Sequence, residues 1–167
     1  LILFIDNPPP IYLMKYIVRR PTLEDYDQIN DLGRWFQENS IYANCEWSSK
    51  KCQVMLINCV EKQNPFFLRV VEKDEEIVGF FLGNITEYFF STKKIANELV
   101  VVFKEDHREQ IARPIIKMLL DFEVWAKKHG AHEICLGIVS GIAGSGYAKL
   151  LTRCGLEEVG QIYKKEV

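Results

Sequence analysis

A chain of 167 residues with 48% apolar and 26% charged side chains has the size and balance of one globular domain with a well-buried core. Its net charge of -2 argues against a nucleic-acid-binding surface, and no apolar run approaches the ~20 residues that a membrane span needs. Five cysteines, an odd number, with no evident secretion signal predict reduced thiols and a cytoplasmic protein.

Residues 1–13 are apolar, hold Pro8-Pro9-Pro10 and lack the basic flank of a cleaved signal. They are expected to form an N-terminal extension, leaving a single domain over 14–167. A short strand is predicted over 16–19. The Pro21-Thr22-Leu23-Glu24-Asp25 phrase starts a helix, with Thr22 as N-cap and Asp25 in the capping-box place. Leu23, Tyr26, Ile29, Leu32 and Phe36 carry that helix to about residue 38. A loop rich in aromatics and amides follows over 39–47, and Ser48 or Ser49 caps a second helix. Its inner face would be Cys52, Met55, Leu56 and Cys59. Cys45, Cys52 and Cys59 recur at helical-face spacing, without the close pairs of a zinc site, so no metal is expected.

Asn64-Pro65 ends that helix. Strands are predicted over 66–72 and 77–86, joined by the polar turn Lys73-Asp74-Glu75-Glu76 into a hairpin. The loop over 87–94 holds Tyr88, Phe89 and Phe90. A β-branched run over 96–103 reads as a further strand, followed by the charged loop 104–110. Ile111, Ile115, Met118, Leu119, Phe122 and Ala126 then mark a helix, closed by Lys127-Lys128-His129-Gly130. Pro114 places its start, because proline is tolerated in a first turn, where its missing N–H had no partner to lose. A strand over 133–139, a glycine-rich connector over 140–146, a short helix over 147–153 and a last strand over 159–166 complete the chain. The order β-α-α-β-β-β-α-β-α-β predicts an α/β domain of the α+β kind: a central mixed sheet with helices on both faces. The join of strand, charged loop and helix N-terminus near residue 110 is a ready anion site.

That order and several local phrases resemble the GNAT superfamily of N-acetyltransferases. The phrases are Ile17-Val18-Arg19-Arg20-Pro21-Thr22, Ile77-Val78-Gly79-Phe80, the run from Glu98 to Ile116, and Ala148-Lys149-Leu150-Leu151-Thr152-Arg153-Cys154-Gly155-Leu156. The resemblance implies the acyl-CoA N-acyltransferase fold with a mostly antiparallel sheet, and acetyl-CoA as co-substrate without a metal. It also implies that backbone N–H groups of Val100, Val101, Val102 and Phe103 bind the thioester and pantetheine. His107, Arg108, Glu109, Gln110, Ile111, Ala112 and Arg113 would then hold the diphosphate. The family's loop has a glycine where this chain has Gln110, which requires φ below zero there and a side chain turned away.

Acetyl transfer needs a deprotonated amine, a polarised carbonyl and a protonated leaving thiolate. Glu98 is the candidate base, since a carboxylate beside Leu99 and Val100 can have its pKa raised by desolvation. A solvated strand end, or an ion pair with Lys93 or Lys94, is the other reading of Glu98. Many relatives carry an acidic tyrosine where this chain has Leu151. Tyr147, one helical turn earlier on the same face, is the substitute candidate acid, or a packing aromatic. The rings of Trp35, Tyr42, Trp47, Tyr88, Phe89 and Phe90 would flank an acceptor pocket or pack over the sheet end. The expected activity is direct acetyl transfer to a small-molecule or peptide amine by a monomer or homodimer, without nucleic acid or membrane. A non-catalytic GNAT-like binding module is the alternative.

Overall fold

The computed structural model describes residues 16–62, 66–107, 110–137, 140, 145–160 and 164–165. Five strands run in spatial order as in sequence: β1 (Ile17–Arg19), β2 (Phe66–Lys73), β3 (Glu76–Glu87), β4 (Lys94–Phe103) and β5 (Ala131–Cys135). The first three pairings are antiparallel and the β4–β5 pairing is parallel, giving the expected mixed, mostly antiparallel sheet. Helices α1 (Tyr26–Glu38) and α2 (Ser49–Ile57) cover one face; α3 (Ala112–Lys128) and α4 (Ser145–Arg153) cover the other. No helix among the described residues is long and apolar enough to cross a membrane.

The central strands β2 and β3 are buried on both faces, and two cores result. Ile29, Leu32, Cys52 and Leu56 pack with Leu68, Val70, Phe80 and Val102 beneath α1 and α2. Met118, Leu119 and Phe122 of α3 pack with Phe67, Phe81 and Phe103 on the opposite face. Phe67, Phe81, Phe122 and Trp125 form an aromatic cluster with ring centroids 4.8 to 5.6 Å apart. Cys52 and Cys59 lie buried in the first core, and burial pushes the Cys59 thiol up to about 12; Cys45 is exposed, so only two of the three share that interior.

Two glycines let elements close on one another. A Cβ on Gly79 would lie 2.4 Å from the Phe103 ring, and one on Gly83 would lie 2.7 Å from Phe122 and 2.9 Å from the Asn97 carbonyl oxygen. The β2–β3 turn does without glycine: Asp74 and Glu75 sit at φ 52° and 67°, the left-handed pair that a two-residue hairpin demands. Gln28 of α1 steadies it, its amide oxygen accepting from the Ile77 N–H at 2.7 Å.

Several boundaries differ from expectation. The first helix opens as a 3-10 turn over Leu23–Asp25, with the Asp25 carboxylate accepting the Thr22 N–H at 2.7 Å. Arg19 draws that carboxylate inward, contacting it at 2.7 and 2.8 Å while also reaching Glu72 at 2.6 Å. Helix α2 ends in a π turn over Asn58–Lys62. Strand β5 begins and ends earlier than 133–139, because its pairing follows Lys94 to Asn97 of β4. The strand expected over 159–166 is not formed at 159–160 or 164–165, and its remainder lies outside the described residues, as do residues 1–13 and the Asn64-Pro65 break.

Candidate active site

Between β3 and β4, Leu82 pairs with Val100 and Gly83 with Glu98. Leu99 is therefore the extra residue of a β-bulge, and it is half exposed. The bulge inverts side-chain alternation. Ala96 faces the α3–α4 core, and so do Val101 and Phe103, whereas Val100 and Val102 face α1 and α2. Glu98, two residues after Ala96, accordingly points to the α3–α4 side.

The parallel pairing of β4 with β5 runs from Lys94–Ala131 to Asn97–Cys135 and stops there. Among the described residues no strand covers that edge of β4 from Glu98 to Phe103. The pairing ends just before the bulge, and the β4 backbone at Val100, Val101, Val102 and Phe103 lies beyond its end. An unpaired strand edge presents the N–H donors that an extended ligand or a thioester carbonyl needs.

Glu98 and Tyr147 meet just past the end of that pairing. The Tyr147 hydroxyl donates to the Glu98 carboxylate at 3.2 Å. Burial raises the Glu98 carboxyl to about 7, against the lowering effect of hydrogen bonds from Tyr147 and the Gly137 backbone. Burial likewise raises Tyr147, and the negative charge of Glu98 adds to it. No ion pair joins Glu98 to Lys93 or Lys94; Lys93 instead lies 3.4 Å from His132. Leu151 is buried in the core one turn further along α4, where it contacts apolar neighbours. The helix thus offers its hydroxyl from position 147.

At the far end of β4, Lys104 donates its N–H to Val78 at 2.8 Å and a 3-10 turn over Glu105–His107 leads to α3. Ile111 is the N-cap, and Pro114 falls in the first helical turn. Gln110, Ala112 and Arg113 are exposed around the helix N-terminus. The Gln110 side chain turns toward β1, where its amide oxygen accepts the Tyr16 hydroxyl at 3.1 Å. The same hydroxyl lies 2.9 Å from Nδ1 of His107. Arg108 and Glu109 lie outside the described residues, as do Gly141 and Gly144. The contact of Tyr16 with His107 and Gln110 was not legible in the sequence: a tyrosine beside a short strand carries no spacing signal.

The aromatic residues divide. Trp47 folds its indole over Gly33, and its N–H donates to the Asn30 side chain at 2.9 Å. Gln37, buried at the end of α1, donates to the carbonyls of Tyr42 and Cys45 at 2.9 and 2.6 Å and so shapes the following loop. Ile41 of that loop donates its N–H to the Ser140 carbonyl at 3.0 Å, tying it to the segment after β5. Phe89 and Phe90 do not join this side. They stand 99% and 71% exposed beyond the start of β4, packed on each other, while Tyr88 bonds Glu133.

No protein-family model matches the chain, and no curated protein matches it. Solved structures do. An aminoglycoside N-acetyltransferase in complex with CoA superposes with a TM-score of 0.69 at 9% identity, covering 92% of this chain and 95% of its own. Glucosamine-6-phosphate N-acetyltransferase from Arabidopsis thaliana gives 0.66 at 12% identity, over 91% and 98%. A transcriptional regulator from Bacillus halodurans C-125 gives 0.66 at 17% identity, over 92% and 100%. The similarity spans the whole of these chains and is one of fold.

Proposed function

We propose that this chain, which has the fold of the GNAT acetyltransferases, transfers an acetyl group from acetyl-CoA directly to an amine. The observation that carries the reading is the Glu98–Tyr147 pair at the point where β4 and β5 part. A carboxyl that titrates near neutral pH is suited to accept the proton that a neutral amine sheds as it attacks the thioester. The open edge of β4 suits the thioester arm, and the α3 N-terminus suits the diphosphate.

The protons balance through the pair. The amine nitrogen bonds to the thioester carbonyl carbon while the carbon–sulfur bond breaks. Glu98 takes the amine proton, which removes the negative charge that helps to hold the Tyr147 proton in place. Tyr147 then gives its proton to the departing thiolate, and Glu98 returns one to Tyr147 across their hydrogen bond. The pair ends as it began. The acceptor is a small-molecule or peptide amine that enters beside the 39–47 loop.

Acetyl-CoA turnover over a panel of amines, followed by release of free thiol, tests this reading. Turnover with at least one amine, lost on the order of 10²–10⁴-fold in Glu98→Gln, is expected. Full activity in that variant overturns the assignment of Glu98.

A further inference from the structure

Residue 110 precedes the N-cap of the helix whose N-terminus is to meet a diphosphate, and a side chain there has to be kept out of the ligand's way. The observed solution is a three-residue chain of hydrogen bonds between β1 and the loop. Tyr16 stands just before β1, its ring edge-on to His107 at 5.8 Å and its hydroxyl in contact with both His107 and Gln110. An amide oxygen only accepts, so the single Tyr16 proton goes to Gln110. The hydroxyl oxygen must then accept from His107, which places a proton on Nδ1. Nε2 of His107 is left as the ring nitrogen for another partner.

We infer that Tyr16 is a positioning residue for coenzyme binding: it fixes the side chains of His107 and Gln110 ahead of α3, a restraint that glycine at position 110 would make unnecessary. The inference rests on the proposed binding of coenzyme A at that loop. It assigns a role to a residue outside the loop, one that directly precedes β1 and lies 94 positions from Gln110 in the chain. The clamp also couples residue 110 to residue 16, so the two act on binding together.

The test is a double-mutant cycle read by calorimetric titration of coenzyme A, with the unliganded protein followed by ¹⁵N NMR of the His107 ring. Tyr16→Phe should weaken coenzyme A binding about fivefold, the scale of one lost hydrogen bond. In a Gln110→Gly background, where no side chain needs holding, the same change should cost less than about twofold. Equal losses in both backgrounds would show a general structural role and overturn the inference, as would unchanged affinity in Tyr16→Phe alone. At alkaline pH the neutral His107 should carry its proton on Nδ1 in the parent and lose that preference in Tyr16→Phe. A parent His107 protonated on Nε2 overturns the clamp whatever binds. Failure of the parent to bind coenzyme A, with the Nδ1 tautomer present, instead overturns the proposed coenzyme site.

Discussion

The Tyr147 hydroxyl sits 3.2 Å from the Glu98 carboxylate, linking the first turn of α4 to the strand residue beside the bulge. Both groups are held in their protonated forms more firmly than in water, chiefly by burial. For a base, that sets the working range. The rate at limiting acetyl acceptor should rise with pH through an apparent pKa near 7, the value of Glu98. Tyr147→Phe, which removes one lowering influence on Glu98 and the acid together, should move that limb to higher pH and lower the plateau about 10-fold or more. An initial-rate profile from pH 5 to 9 reads both effects.

The same burial has a cost in stability. A carboxyl raised from 4.5 to about 7 binds more protons folded than unfolded, so its contribution becomes unfavourable as pH rises through that interval and is fully unfavourable above it. Glu98→Gln should therefore raise unfolding free energy at pH 8 by on the order of 2 kcal/mol and leave it nearly unchanged at pH 4. Urea denaturation at the two pH values measures the difference. A variant that is more stable and inactive would mark Glu98 as functional.

Asp25 shows the opposite sign. Burial works to raise its pKa, but Arg19 and the Thr22 N–H outweigh it and hold the carboxyl below its ordinary value. Its contribution is present above the unfolded pKa and is lost as pH falls through the lower, folded one. Asp25→Asn should cost about 2 kcal/mol at pH 7, and the penalty should fade below about pH 4 as the parent protonates. Thermal unfolding across that range checks it.

Gly83→Ala should destabilise by about 2 kcal/mol, because the new methyl meets both the Phe122 ring and the fixed Asn97 carbonyl. Since Gly83 pairs with Glu98, activity should fall beyond what the folded fraction explains. Rate per folded molecule, with the fraction taken from near-ultraviolet circular dichroism, separates the two losses.

Glu75→Gly should have the reverse effect on stability. The left-handed backbone at φ 67° costs a non-glycine residue on the order of 1 kcal/mol, and this position lies outside the site. A higher melting temperature with unchanged turnover is the expected result.

The element order through α4 and the β4–loop–α3 join were legible because periodicity, Pro114 and the Lys127-Lys128-His129-Gly130 ending are local signals. Glu98 was legible as a polar residue within an apolar run. Its partner was legible only in part: helical spacing placed Tyr147 on the face of Leu151, but no local pattern reports that a bulge turns Glu98 toward that face. The contact of Tyr16 with Gln110 spans 94 residues and obeys no period. Boundaries slipped where tertiary pairing decides them, as in β5, whose length follows its neighbour.

The extra residue at Leu99 makes β4 two half-strands in opposite phase, joined end to end within one hydrogen-bonded element. Removing one residue there would rotate everything on one side of the join by half a repeat relative to the other. Either Glu98 and Ala96 would turn away from α4, or Val101 and Phe103 would leave the α3 core. Spacing at this point is thus as constraining as residue identity, and an alignment gap at position 99 would mark a different site geometry even where every named side chain is retained.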